Sequence, residues 1–418
     1  MSLPRVLMVN GAYYPELSGG GLQCRQLVRA LQGHAQILVL TTAADASLPP
    51  VERVDGVPVY RVAVNVRKPW SVARAAILLA RRFLELAGEC DVVHFHGFSR
   101  KSLLLIMLAK LFRKRLVMKL GLVGEDDPLS IRKRGRLDLW CYQQLDSVIG
   151  VSPRFQQLYE ASRLPREKFR LIPNGVDTKR FCPADFQERR ALRVRLGLPQ
   201  EIPLVLFVGI FAVRKRPDVL LEAWKRLDAA GSPQAGLVFV GGTDSRRYEI
   251  DASLARRVRD EAQRLPEPLR RRVMFVEAIH DIEHYYRAAD VFVLPSTGEG
   301  LPNALLEAMA CGMPCIASQL PGITEPLIAD GVNGILVPPE DVSALHEALR
   351  GVLSDPTLAR QMGQQARATV VERYETRQIL PQYLEIYQRL LRGTENGCEI
   401  PRVEALAMRE TGGQQGRP

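Results

Sequence analysis

Two carboxylates eight residues apart, Glu299 and Glu307, stand in the run STGEGLPNALLEAMACGMPCIAS at 296–318. Paired carboxylates can do acid–base work on a glycosidic bond, which needs them roughly 5–9.5 Å apart. Eight residues of helix rise on the order of 12 Å, so this spacing points to two separate jobs: one carboxylate at a sugar, the other farther along a ligand. On either side of Glu299, Gly298 and Gly300 would let a phosphate approach the backbone closely. Unpaired amides around Gly300, Leu301 and Asn303, at a helix start, would meet its charge. Pro302 suits the first helical position, where a missing N–H costs nothing. Leu301, Ala304, Leu305, Ala308 and Met309 keep the spacing of a buried helical stripe, which leaves Asn303 and Glu307 on the opposite side, toward whatever fills a cleft. Taken alone, two glutamates at a helix start are equally a solvated pair, so the setting decides.

The elements that must hold this segment alternate from end to end. Strand-like runs at 5–10, 36–40, 57–62, 91–96, 116–120 and 147–151 are separated by helical patterns, including 22–31 after a glycine-rich turn and 71–86. A polar, proline-punctuated stretch at about 173–203 interrupts the rhythm, which restarts with strands at 204–208, 236–241, 272–276, 291–295, 314–318 and 334–338 and a helix at 217–227. The expectation is α/β: two similar doubly wound parallel-sheet domains, 1–185 and 200–375. A final amphipathic helix follows at 376–392, then a patternless tail at 393–418, expected to be disordered. Ligands of such sheets bind at the carboxyl ends of the strands, so a two-sheet protein places its site in the cleft between them. Glu299 follows the strand at 291–295 at that end.

Composition bounds the rest. At 418 residues two domains are the natural prior, and 46% hydrophobic with 25% charged residues is globular usage. Seven scattered cysteines with no metal-ligand spacing read as reduced thiols in a cytoplasmic setting. No signal-peptide pattern opens the sequence, and its most apolar helical run, 103–111, is too short to span a bilayer. The net charge is +11, with basic clusters at 81–82, 113–115 and 132–136. Without aromatic interleaving these clusters argue against nucleic acid. They favour a phosphate-bearing substrate or peripheral contact with an anionic membrane at its inner face, beside the plainer reading of a solvated surface.

The motifs, taken together, resemble the retaining family 4 glycosyltransferases of the GT-B fold, with two Rossmann-like domains facing a cleft. The resemblance covers nearly the whole chain: the run 296–318 and PGITEPLIADGVNGILVPPEDVSALHEAL after it, PELSGGGLQCRQLVRAL (15–31), DVVHFHG (91–97), IPNGVDTKRF (172–181) and RAADVFVLPS (287–296). It implies an acceptor-binding first domain, a donor-binding second domain and a last helix crossing back to the first. It implies that Glu307 holds the ribose of a nucleotide-sugar donor, Glu299 meets the donor sugar, and His96 lies near that sugar. Lys215, in VGIFAVRKRPD, would meet the diphosphate, and Gly19, Gly20 and Gly21 would approach the phosphates from the other domain. No metal and no further cofactor are implied, since protein cations neutralise the leaving diphosphate. The chain departs from the family at Gly209, which is followed by Ile210 where an arginine is usual. Arg214 or Arg216 is the candidate substitute, able to grip phosphate bidentately. Leu120–Gly121 stands where many members carry His–Gly.

Other features weigh less. Glu125, Asp126 and Asp127 are metal-ligand types, but a loop or helix start explains them better. His94 alternates with His96 without a third zinc ligand. The glycines at 19–21 do not form a dinucleotide fingerprint. Trp70, beside Arg67 and Lys68, either packs a helix end or touches a membrane. The leading expectation is sugar transfer to a glycan or lipid-linked acceptor in cell-surface polysaccharide or lipopolysaccharide synthesis. The alternatives are a catalytically impaired binding subunit and a nucleotide-sugar epimerase on the same fold.

Overall fold

Among the described residues, short runs rich in Val, Leu and Ile, too short for helices and mostly buried on both faces, form fourteen strands in two sheets. The computed structural model describes residues 3–16, 18–228, 234–242 and 250–392. The first sheet contains β1 (Arg5–Asn10), β2 (Gln36–Ala43), β3 (Val51–Val54), β4 (Val57–Ala63), β5 (Val92–His96), β6 (Arg115–Lys119), β7 (Ser147–Gly150) and β8 (Phe169–Leu171). Their order is β3-β4-β2-β1-β5-β6-β7-β8. The second contains β9 (Leu204–Val208), β10 (Gly236–Val240), β11 (Val273–Val276), β12 (Val291–Leu294), β13 (Cys315–Ser318) and β14 (Ile335–Val337), ordered β11-β10-β9-β12-β13-β14. All pairings in both sheets are parallel except the β3–β4 hairpin at one edge.

Each sheet therefore reverses its winding once, between β1 and β5 in the first and between β9 and β12 in the second. A ligand crevice opens where winding reverses, at the carboxyl ends of the strands. Gly19–Gly21 follow β1 and His96 ends β5. Gly209–Lys215 follow β9 and Glu299 follows β12. The candidate residues thus come from the two reversal points.

Local structure differs from the sequence reading in several places: β3 and β8 are strands it does not include, and three segments fold differently. Gly19, Gly20 and Gly21 are the first turn of a helix, Gly19–Leu31, rather than a turn before one. Ser18 caps that helix by accepting from the Gly21 amide at 3.0 Å, and a Cβ on Gly21 would lie 2.5 Å from the Ala12 carbonyl oxygen. The stretch at 173–203 contains a helix, Phe186–Arg195, capped by Asp185. The helix after Glu299 is Asn303–Ala310, with Pro302 as its cap residue. Its buried set is wider than one stripe and includes Leu306 and Ala310, because the helix Pro356–Arg373 packs on its outer side.

The helix Thr376–Arg392 returns to the first sheet. Ile379, Tyr383, Ile386 and Tyr387 join Val6, Met8, Leu27, Val28 and Leu31 in one core. The expected tail at 393–418 lies outside the described residues.

Candidate functional site

The loops after β9 and β12 are sewn together by the Thr297 amide, which donates to the Arg214 carbonyl at 2.8 Å. This brings Lys215 onto Glu299: Nζ lies 2.5 Å from Oε1, and both side chains are nearly buried. Arg214 reaches Oε2 of the same carboxylate at 3.3 Å and the Gly298 carbonyl at 3.4 Å. Burial pushes the Glu299 carboxyl up, but Lys215 and then Arg214 outweigh it, and the group ends below the usual carboxylate range. Gly209 continues β9 and donates its amide to Val240 at 2.9 Å.

Arg216 is committed elsewhere, to Glu340 at 2.9 Å and Asp218 at 3.3 Å. Arg214 is the second cation that faces the carboxylate.

The two lobes touch at this point. A Cβ on Gly300 would lie 2.0 Å from the Gly121 carbonyl oxygen, so only glycine permits the approach. Asn303 donates to the Gly19 carbonyl at 3.4 Å and accepts from Asn174 Nδ2 at 2.8 Å. Asn174 also reaches the carbonyl of Leu301, at 3.4 Å. Among the described residues, the amides of Gly300, Leu301 and Asn303 have no protein acceptor. These three amides lie beside two cations and face the other lobe. Gly20 lies over Asn10, whose Oδ1 would be 3.9 Å from an added Cβ.

Glu307 sits apart from that cluster. Its Oε2 accepts from the Tyr286 hydroxyl at 2.9 Å. Burial raises its pKa to about 7, against the pull of Tyr286 and Arg180. It is therefore less open than its helix position suggested.

His96 ends β5 beside Lys119 of β6 and stacks on His94, with ring centroids 4.7 Å apart. Its Nε2 is buried without a partner among the described residues. Burial holds it in the neutral form, with His94 and Lys119 adding to the effect. His94 belongs to the core: its Nδ1 lies 2.7 Å from the Tyr387 hydroxyl of the last helix. His96 belongs to the first lobe and the Lys215–Glu299 pair to the second.

Asp126 and Asp127 are structural. Asp126 accepts from the amides of Phe98, Gly121 and Leu122 at 2.8, 2.7 and 3.1 Å, fixing the loops after β5 and β6. Asp127 caps the helix Pro128–Arg134.

Sequence reasoning missed several participants. Asn174 lies in the proline-punctuated stretch, where nothing in the sequence signals its bond to Asn303. Tyr286 lies outside every quoted motif, and Arg180 lies within 172–181 without a sign that it reaches toward Glu307. Lys101 was not singled out, yet its Nζ donates to the Asn10 carbonyl at 2.5 Å. Burial lowers its pKa to about 7 and that of Lys119 to about 8. Both lysines lie at the carboxyl edge of the first sheet.

Two Rossmann-like sheets, each reversing at a shared cleft lined by paired cations and free amides, define the GT-B class of glycosyltransferases. The chain belongs to that class through a specific family. The pattern described as glycosyl transferases group 1 matches residues 188–369, and the glycosyl transferase 4-like domain matches 18–175. A D-inositol 3-phosphate glycosyltransferase from Geodermatophilus obscurus is 30% identical over 341 residues, 76% of this chain and 73% of that protein. Among solved structures, sucrose-phosphate synthase from Thermosynechococcus elongatus is similar with a TM-score of 0.79 at 25% identity, covering 94% of this chain and all of that one. HepE from Anabaena, solved with UDP-glucose, shares the fold with a TM-score of 0.74 at 19% identity, over 92% of this chain and 99% of that one.

Proposed function

We propose that this glycosyltransferase moves a sugar from a nucleotide-diphosphate sugar to a glycan or lipid-linked acceptor, with retention at the anomeric carbon and without a metal. The observation that carries the reading is the convergence of Lys215 and Arg214 on the Glu299 carboxylate, beside the unpaired amides of Gly300, Leu301 and Asn303. Breaking a glycosyl–phosphate bond develops negative charge on the diphosphate. Preorganised cations and amides are the groups that stabilise it. When the donor enters, its diphosphate competes with Glu299 for both cations, and the first turn at Gly19–Gly21 approaches from the other lobe. Glu299, relieved of part of its pairing, accepts from the sugar hydroxyls, Glu307 from the ribose, and His96 lies near the sugar.

In this reading Glu299 is occupied by the sugar hydroxyls, and no other side chain is an evident nucleophile. Retention then follows from attack on the same face that the phosphate leaves, with the leaving phosphate taking the acceptor proton. The HepE complex supports a nucleotide-sugar donor. The basic clusters of the first domain support an acceptor with negative charge, in keeping with the phosphate in the name of the Geodermatophilus relative. Cell-surface polysaccharide or lipopolysaccharide assembly, at the cytoplasmic face, is the setting this combination favours.

The test is a panel of UDP-, GDP- and ADP-sugars with chelator present and candidate acceptors added. Nucleotide release that requires acceptor, with the anomeric configuration of the product unchanged by NMR, is the expected result. Interconversion of the donor with no sugar transferred would establish an epimerase. Donor binding without turnover on any acceptor would favour an impaired binding subunit.

A further inference from the structure

The strand order of the first sheet decides which face each connecting helix covers. The connections β4→β5, β5→β6 and β6→β7 run in one direction across the sheet. Right-handed crossovers therefore place the helices Pro69–Leu86, Arg100–Leu111 and Arg136–Gln143 on one face. They pack side by side there, the second against both others. The helix Gly19–Leu31 and the returning C-terminal helix cover the opposite face.

That face is apolar and cationic at once. On the first helix Trp70, Ala73, Arg74, Ile77, Arg81 and Leu84 are all exposed at positions 0, 3, 4, 7, 11 and 14 of a helical repeat, which is a single outward stripe. Trp70 and Ile77 are 63% and 70% exposed. Next to it, Leu111 is 75% exposed and Trp140 is 49% exposed, among Lys110, Arg113, Arg132, Lys133 and Arg136. Between 100 and 115 there is no carboxylate, and the same holds between 128 and 137. Glu85 is neutralised by Arg81 and Arg82 at 3.1 and 2.6 Å. Glu125 is held by Arg134 at 2.6 Å. Two of the three tryptophans in the chain are spent on this surface. The third, Trp224, is buried and donates to the Ala235 carbonyl at 3.1 Å.

Trp70 does not pack the helix end, one of the two roles the sequence offered for it; it points outward, with the Lys68 ammonium 5.8 Å from its ring centroid. A protein partner of ordinary surface would leave this many cations unmatched. An anionic bilayer answers both features: headgroups take the cations, and the acyl boundary takes Trp, Ile and Leu side chains. We propose that the face formed by Pro69–Leu86, Arg100–Leu111 and Arg136–Gln143 docks on an anionic lipid surface.

The geometry has a consequence for the cleft. The first two of these helices start from the carboxyl ends of β4 and β5, so their amino ends border the crevice. A bilayer lying along this face holds a lipid-linked acceptor at the cleft rim. The proposal deepens the acceptor reading, but binding is measured with no sugar transferred, so the two fail separately. Among the described residues no helix is long and apolar enough to cross a membrane, and docking on the surface requires none.

The experiment is flotation of the full chain with phosphatidylglycerol–phosphatidylcholine vesicles and with phosphatidylcholine alone, followed also by tryptophan emission. The expected result is flotation only with the anionic vesicles, with a blue shift from Trp70 and Trp140 while Trp224 stays silent. Arg74→Gln with Arg81→Gln should weaken partitioning about 25-fold, at about fivefold for each cation removed. Trp70→Ser with Ile77→Ser should weaken it while leaving the thermal midpoint within a degree or two, since both side chains already face solvent. Equal flotation of wild type and both variants would overturn the proposal. So would a blue shift that grows with protein concentration without vesicles, which would assign the face to a second copy of the chain.

Discussion

Lys215 and Glu299 form a pair whose members cannot be removed singly without cost. Losing Lys215 leaves a nearly buried carboxylate with Arg214 as its remaining cation among the described residues, and breaking such a pair costs about 3–5 kcal/mol. Lys215→Met should therefore lower the thermal midpoint as well as transfer, the latter by about 10²–10³ in kcat. The double variant Lys215→Met, Glu299→Gln should recover much of the midpoint and none of the transfer rate. Recovery of both would remove Lys215 from the chemistry. Glu307 makes a second prediction. Its raised pKa of about 7 means that the folded state keeps its proton below that value, so its share of stability is lost as pH rises through about 7. Ribose hydroxyls donate to the ionised form, so donor affinity should rise across the same range and flatten in Glu307→Gln. A flat wild-type profile in donor titrations would sink the ribose role. The sequence exposed these residue types and their spacing. It could not show that Tyr286 and Arg180 surround Glu307, since neighbours brought in by tertiary packing leave no local pattern, nor that Arg214 rather than Arg216 faces Glu299. That choice turns on Glu340 and Asp218, one of them distant in the chain, holding Arg216.

At the level of elements, period and punctuation were legible wherever strands were buried on both faces, because parallel sheets demand continuous apolar runs. They failed where an element buries little. The helix Phe186–Arg195 has only Leu192 and Arg193 buried, so it carries no apolar stripe to read. The glycines at 19–21 signal a turn by composition, yet they are helical because Ser18 caps the turn and Gly21 must pass the Ala12 carbonyl. Gly300 is the comparable point between lobes, where the loop after β12 rests on the Gly121 carbonyl. Gly300→Ala should force the contact apart and cost about 1–3 kcal/mol of overpacking. Because the strain falls on the interface, small-angle scattering should report a more open particle and donor affinity should fall. A closed particle with normal affinity would show that the lobes do not meet at Gly300 in solution.

On the scale of the whole molecule, the returning helix Thr376–Arg392 ties the end of the second sheet's chain to the first lobe. The chain crosses where Val176 and Glu375 form a bridge and Gln26 donates to the Thr376 hydroxyl at 2.5 Å. From there Tyr387 reaches His94, which stacks on His96 at the cleft. The helix is thus part of the first lobe's core and the backing of its cleft histidine. Tyr387→Phe removes one buried hydrogen bond and leaves His94 Nδ1 without its partner, a cost of about 1–3 kcal/mol. The loss should appear in the unfolding of the first lobe, and kcat should fall more than donor affinity, because the donor's cations and amides belong to the other lobe. Truncation before Thr376 is harsher: it uncovers Ile379, Tyr383, Ile386 and Tyr387 positions in a core shared with Met8 and Val28, and burial of each large apolar side chain is worth about 1.5–3 kcal/mol. The truncated chain should lose the first lobe's cooperative transition in calorimetry. A truncated protein that keeps both transitions would mean the first sheet closes its core without the helix, and the coupling from Tyr387 through His94 to His96 would carry no weight.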